Sequence, residues 1–171
     1  MMIIRPETEN DRKAIFDLTE LAFQDMPYAD GDEQFVPERL RSRGELTLSL
    51  VAEDEGRIVA HVAISPVTIS DGSKGWYGLG PVSVTPERQR QGIGTKLIRR
   101  ALSELKGLGA AGCVVLGDPN YYQRFGFATH PKFILAGVPP EYFQVLVFGQ
   151  TDAKGEVTFS PAFYEDNAQQ S

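Results

Sequence analysis

The chain has 171 residues, 42% of them hydrophobic and 23% charged, with a formal net charge of −6 at neutral pH. That size supports a hydrophobic core without metal or disulfide staples, and a single cysteine excludes an internal disulfide framework. The acidic balance argues against a nucleic-acid partner, which requires a basic face, and no apolar run is long enough to span a membrane.

Residues 2–5 form a short apolar run that reads as a strand, ended by Pro6. The run is too short for a secretion signal, so a cytoplasmic protein is expected. Thr8 is placed as an N-cap with Asp11 three residues on. Ala14, Ile15, Leu18, Leu21 and Ala22 then recur at helical spacing and predict a helix over 9–23. Pro27, Asp30 and Gly31 mark a loop over 25–31. A second, shorter helix is expected within 32–43, where Phe35, Val36 and Leu40 share a face and Pro37 limits the length. Glu33 and Glu38 read there as solvated surface.

Leu46, Leu48, Leu50 and Ala52 alternate with Thr47, Ser49, Val51 and Glu53, the pattern of a strand with one better-buried face. A hairpin turn at 54–57 leads to a long strand over 58–69. Ile58, Ala60, Val62 and Ile64 lie on one face of it, and Val59, His61, Ala63 and Ser65 on the other. His61 reads as a packed sheet histidine, with lining of a pocket as the alternative. A turn at 70–73 and a strand over 75–84 complete an antiparallel meander. Gly78, Gly80 and Pro81 are unusual inside a strand. They predict a distortion near Gly80 and Pro81, where pairing with the next strand loosens.

Residues 85–91 are a turn. From Ile93 the helical period is plain, with Ile93, Leu97, Ile98, Ala101, Leu102 and Leu105 on the apolar side. Residues 113–116 form a buried strand, parallel to its predecessor because a helix joins the two. Cys113 within it reads as an inert core thiol. Asp118 and Pro119 open a short helix that Gly126 ends, and the chain from Phe127 is expected to return to strand. Residues 129–140 are loop-rich. Residues 142–148 form an apolar strand suited to pairing with a second copy in a homodimer, and 157–159 form a short strand. One domain is expected over 1–164, with a frayed tail over 165–171.

The junction over 79–97 carries the chemistry. A helix opened by Gly92-Ile93-Gly94 presents N–H groups with no intrahelical partner, and the helix dipole adds positive potential. A pyrophosphate is the natural ligand. A Walker loop requires Lys-Ser/Thr after its last glycine, whereas Gly94 is followed by Thr95-Lys96. A Rossmann fingerprint requires a third glycine, where this chain has Leu97, and a shorter turn than 85–91.

Gln89-x-x-Gly92-x-Gly94 resembles the Gln/Arg-x-x-Gly-x-Gly/Ala signature of the GNAT superfamily of N-acetyltransferases. Tyr122-Gln-Arg-Phe-Gly126-Phe127 resembles that family's Tyr-x-x-x-Gly-Phe motif, and the order of elements over 2–148 is similar as well. The pairing of GWYGLGPVSV with LGDPNYYQRFGF is similar to the YhbS-like bacterial branch.

The resemblance implies an α/β fold of the α+β kind. It is a mixed, mostly antiparallel sheet with a splayed parallel pair at the cofactor site and helices on both faces. It implies acetyl-CoA as cosubstrate and a primary amine, on a small molecule or a protein, as acceptor. The pyrophosphate would lie on backbone N–H groups of Gln89, Arg90, Gln91, Gly92, Ile93, Gly94 and Thr95. The pantetheine arm would pair with Val82, Ser83 and Val84. The Val82 N–H would stabilise the thioester oxygen, and the Tyr122 hydroxyl would protonate the departing sulfur. The base that frees the amine stays open among Glu33, His61 and Asp118. Acetyl-CoA binding without catalysis, in a sensor or complex component, is the alternative, and a nucleotide-dependent oxidoreductase is a third reading.

Overall fold

The computed structural model describes residues 1–24, 26, 29 and 31–164. The expected tail over 165–171 and residues 25, 27, 28 and 30 of the expected loop lie outside them. The main sheet has six strands in the order β1-β2-β3-β5-β6-β8. They are β1 (Met2–Pro6), β2 (Leu48–Asp54), β3 (Arg57–Pro66), β5 (Trp76–Val84), β6 (Gly112–Leu116) and β8 (Phe143–Val147). All neighbours pair antiparallel except β5 and β6, which are parallel. The helices are α1 (Arg12–Phe23), α2 (Val36–Ser42), α3 (Ile93–Gly107) and α4 (Pro119–Tyr122).

Each main element follows from its pattern of burial. The six apolar positions read on α3 are its buried residues. They pack on Leu50, Ala52, Ala60, Val62, Ile64 and Leu79, all from one face of β2, β3 and β5. Each large aliphatic side chain buried this way contributes about 1.5–3 kcal/mol, so α3 is fixed by its apolar stripe. On α1 the stripe is rotated from the expected one. Leu21 is 48% exposed, and Thr19 is fully buried in its stead. The Thr19 hydroxyl is satisfied by the Ile15 carbonyl at 2.8 Å, which lets a polar residue face the sheet.

The expected strand over 58–69 is two elements. Pro66 ends β3, and Thr68–Ile69 forms β4 in a separate small sheet, ordered β4-β9-β7. There β4 pairs antiparallel with β9 (Gly155–Thr158), and β7 (Phe133–Ile134) pairs parallel with β9. The strand expected from Phe127 is reduced to one bridge, Ala128 to Val145, before β7. Between the small sheet and the main one lies a second apolar cluster, including Trp76, Val114, Phe133, Phe143 and Phe159.

The start of α1 is tied to the sheet by charge. Arg5 on β1 donates to both oxygens of Asp11, at 2.7 and 3.0 Å, and to Glu53 on β2 at 2.8 Å. Asp11 also accepts the Thr8 N–H at 2.7 Å, as half of the expected capping box. The Arg5 guanidinium holds the Asp11 carboxyl at about 2, below its usual 3.8. A depressed carboxyl stabilises the fold above its unfolded pKa, and the benefit is lost as pH falls from about 4 to about 2. Asp11→Asn should therefore cost about 1 kcal/mol at neutral pH and almost nothing near pH 2, as read by urea denaturation at both. An equal loss at both would contradict the ion-pair account.

Candidate functional site

The central feature is a sheet edge that opens in mid-strand. β5 pairs with β6 only at Trp76, Tyr77 and Gly78. On its other side, Leu79 faces Ile64 and Val82 faces Val62, so Gly80 and Pro81 together oppose Ala63. This is the distortion expected from the sequence; the Gly80–Pro81 peptide is cis. Beyond it β5 and β6 diverge.

The ladder pattern then settles where the backbone groups point. The Thr85 N–H donates to the Val59 carbonyl at 2.9 Å. Hydrogen-bonded pairs alternate in antiparallel strands, so Ser83 and His61 form the next bonded pair. Val82 and Val84 fall between bonded pairs, and their N–H and C=O groups point away from β3 into the opening. The Gln89 side chain caps one of them, donating to the Val84 carbonyl at 3.1 Å. Val82 and Val84 turn their side chains to the α3 core. Ser83 turns to the opposite face, where its hydroxyl donates to Thr19 on α1 at 3.3 Å. Of the three expected strand residues, Val82 and Val84 present free backbone to the opening and Ser83 does not.

The N-terminus of α3 faces the same opening. Gly92 precedes it with φ of 81°, a left-handed conformation open to glycine. The Lys96 N–H is bonded to the Gly92 carbonyl at 3.1 Å, so those of Ile93, Gly94 and Thr95 precede the helical ladder. They line a cleft of about 260 Å³ with Gln89, Arg90 and Gly92. Val84, Arg88, Tyr121 and Arg124 complete its walls. The Ile93 side chain is buried in the core, so this residue offers only its backbone. Gln91 is turned aside, where its side-chain oxygen accepts from Arg88 at 3.1 Å. Arg88 also pairs with Asp54 at 2.9 Å, which leaves Arg90 and Arg124 as the more available charges.

The two adjacent tyrosines separate here. The Tyr121 hydroxyl meets that of Thr95 at 3.0 Å, and its ring carries the Arg124 guanidinium at 4.4 Å. Tyr122 packs deeper, edge-on to Phe127 at 5.9 Å and to Tyr121 at 5.0 Å. Gly117, just past β6, makes room for it: a Cβ there would stand 2.4 Å from the Tyr122 ring. Tyr122 thus sits beside the end of β6, where the sheet has parted. Tyr121 and Arg124 are cleft residues that the motif alone did not single out. Their signal was the i, i+3 spacing beside the motif tyrosine.

The candidate bases are scattered. The Asp118 carboxylate caps α4 by accepting the Asn120 N–H at 2.9 Å. Glu33 accepts the Gly31 N–H at 3.1 Å, in a cleft between the end of α1 and the turn before α2. His61 is fully buried on the face of β3 turned away from α3. Burial pushes its pKa down to about 4, against an opposing pull from Glu7. Cys113 is buried and its thiol is pushed far up by burial, as expected of an inert core thiol.

The arrangement offers an extended backbone edge, an anion-binding helix start with two arginines, and a phenol beside the strand opening. It suits a long ligand with amides at one end and phosphates at the other. The comparisons with known proteins agree with that reading. The family model of the acetyltransferase (GNAT) domain matches residues 3–130. The N-acetyltransferase YhbS of Escherichia coli is 38% identical over 127 residues, 74% of this chain and 73% of that protein. A GNAT family acetyltransferase from Brucella melitensis, solved with acetyl-CoA, is similar at a TM-score of 0.86 and 47% identity, covering 95% of this chain and 98% of that one. The E. coli YhbS structure, solved with CoA, is similar at a TM-score of 0.87 and 31% identity, covering 96% and 92%.

Replacing Gly117 tests the placement of Tyr122. Gly117→Ala should force the ring off Phe127 and destabilise the fold by about 1–3 kcal/mol, as seen by crystallography and denaturation. An unmoved ring at unchanged stability would contradict the packing described.

Proposed function

The chain belongs to the GNAT acetyltransferase family, and from that premise we propose that it moves an acetyl group from acetyl-CoA to a primary amine by direct attack in a ternary complex. The observation that supports the reading is that the free β5 edge and the α3 N-terminus meet at one opening, with Tyr122 packed against Gly117 at the end of β6. The cleft fits the cofactor's phosphates. A Cβ on Gly94 would lie 3.4 Å from Val84 and 3.7 Å from the Tyr121 hydroxyl, so a side chain there would fill the cradle.

Acetyl-CoA supplies the activated thioester and carries away the sulfur as leaving group. The N–H groups of Ile93, Gly94 and Thr95 hold the pyrophosphate, with Arg90 and Arg124 supplying positive charge. The outward groups of Val82 and Val84 pair with the amides of the pantetheine arm as a neighbouring strand would. The Val82 N–H, nearest the distortion, would supply the donor to the thioester oxygen, where a fixed donor is worth most as charge develops. The Tyr122 phenol holds a proton for the departing sulfur. The acceptor enters from the opposite face, between the 31–43 region and the C-terminal strands. Its amine belongs to a small molecule or a protein.

Two variants test the parts separately. Gly94→Val should weaken acetyl-CoA binding by at least about tenfold, or about 1.4 kcal/mol, in calorimetry, while the melting temperature holds. Tyr122→Phe should bind acetyl-CoA within about twofold of the parent yet lose about a hundredfold in kcat on an amine panel read by free-thiol release. Unchanged turnover would remove Tyr122 as the acid. A parent that binds acetyl-CoA and acetylates nothing would favour a sensor, and stabilisation by NAD(P) but not by CoA would favour an oxidoreductase.

A further inference from the structure

The face of β3 away from α3 holds a polar network that the cofactor side does not use. The Ser49 hydroxyl on β2 donates to the Glu7 carboxylate and lies 2.7 Å from His61 Nε2. Glu7 follows β1 and is held by Arg41 on α2 through two bonds, at 2.8 and 3.0 Å. With the Ser49 proton committed to Glu7, the His61 Nε2 must be the donor to Ser49. The ring is then the tautomer whose Nδ1 carries a bare lone pair.

That Nδ1 is buried and has no partner among the described residues. Ser65 Oγ, four residues on along the same face of β3, is buried without a partner as well. Between them stands Ala63, the residue opposite the Gly80–Pro81 distortion. Buried polar atoms are almost always satisfied, so two orphans bracketing the strand opening mark a place where something else supplies protons. They lie on the face opposite the α3 cradle, the side left for the acceptor.

We propose that His61 takes up the proton shed by the acceptor ammonium, through one water bonded at Nδ1, and passes it out through Ser49 and Glu7. This deepens the acetyl-transfer reading and rests on it. The ammonium gives its proton to the water, and the water gives one to Nδ1. The Nε2 proton moves to Ser49 as the Ser49 proton moves to Glu7. Glu7 releases a proton to solvent in a cleft that it lines with Arg41 and Ser49. One proton has left the ammonium, and the nitrogen lone pair is free to form the new C–N bond. After product departs, the same hops run backwards to a solvent water at Nδ1 and restore the tautomer.

The surroundings suit a relay that carries no lasting charge. Burial keeps the ring neutral, with its pKa lowered to about 4. The charged groups acting on it are Glu7 after β1 and Arg41 on α2, and these oppose each other. From α1 and β5 the facing polar groups are the uncharged Thr19 and Ser83.

The test compares the parent, His61→Gln and Ser49→Ala across pH on the parent's best amine. His61→Gln keeps a donor for Ser49 but no relay. Its kcat at neutral pH should fall about a hundredfold, with acetyl-CoA affinity within about twofold of the parent. The deficit should shrink as pH rises and the amine sheds its own proton. It should vanish with an analogue of that amine carrying a trifluoromethyl group on the carbon that bears the nitrogen, which is uncharged at neutral pH. Ser49→Ala should follow the same pattern. A deficit equal at every pH and for both amines would overturn the proposal, as would full activity in both variants. If the variants do not fold, nitrogen NMR of the parent decides, since the chain has only 2 histidines. Nδ1 without a proton supports the relay, and a protonated Nδ1 overturns it. An active parent with an indifferent His61→Gln sinks this inference alone, whereas a parent inactive on every amine sinks the acetyl-transfer reading with it.

Discussion

A β-strand whose neighbour departs must leave its backbone groups to something else. That constraint governs the architecture here. β5 is paired with β3 along most of its length, but β6 leaves it after Gly78. The outward N–H and C=O groups of Val82 and Val84 therefore face a gap, and buried or half-buried peptide groups without partners are costly. Among the described residues, only the Val84 carbonyl finds a partner nearby, in the Gln89 side chain. The remaining groups are a template for a ligand that can mimic a strand. The Gly80–Pro81 distortion makes this possible, because it places two residues opposite one and bends β5 away from β6.

The helix that follows completes the site for an unrelated physical reason. α3 is held against the sheet by a buried stripe of six residues, and its first turn has no acceptors for its own N–H groups. Rigid packing of that stripe fixes those N–H groups relative to the β5 edge. Strand edge and helix start thus form one continuous surface: amide-complementary at Val82, anion-complementary at Gly94. The opposite face of the sheet is furnished differently. There a buried histidine, a serine and an Arg-paired glutamate replace the apolar contacts that dominate elsewhere. Two faces with distinct chemistry, meeting at one gap, are what a reaction between two separate substrates requires.

Much of this was legible in the residues. Period-two alternation and a strict helical stripe are strong because one face of each element is buried, and β2, β5 and α3 lie where that pattern puts them, while β3 stops at Pro66. The distortion was legible too, because proline cannot donate to a ladder and glycine inside a strand marks a bulge. Other features depend on distant partners. β4 and β7 have two residues each, too short for any period, and form by pairing with β9. The outward turn of Leu21 and inward turn of Thr19 depend on how α1 seats on Ser83. Tyr121 and Tyr122 are adjacent on one short helix and in edge-on contact, yet Tyr121 meets Thr95 and Tyr122 meets Phe127. Which of them meets the cleft was set by Gly117 and Phe127, not by the motif. Ser83 was grouped with its neighbours although alternation along the strand sends its side chain to the other face. His61 was read as sheet packing and also kept as one of three candidate bases, and its orphaned Nδ1 is what sets it apart from Glu33 and Asp118.

The central claim is that the free edge of β5 is the rail on which the cofactor lies. Hydrogen exchange at single amides tests it most directly. On addition of acetyl-CoA, exchange at Val82 and Val84 should slow by at least about tenfold, while Ser83, already bonded to His61, should change little. Unchanged exchange at Val82 and Val84 in the saturated protein would contradict the account.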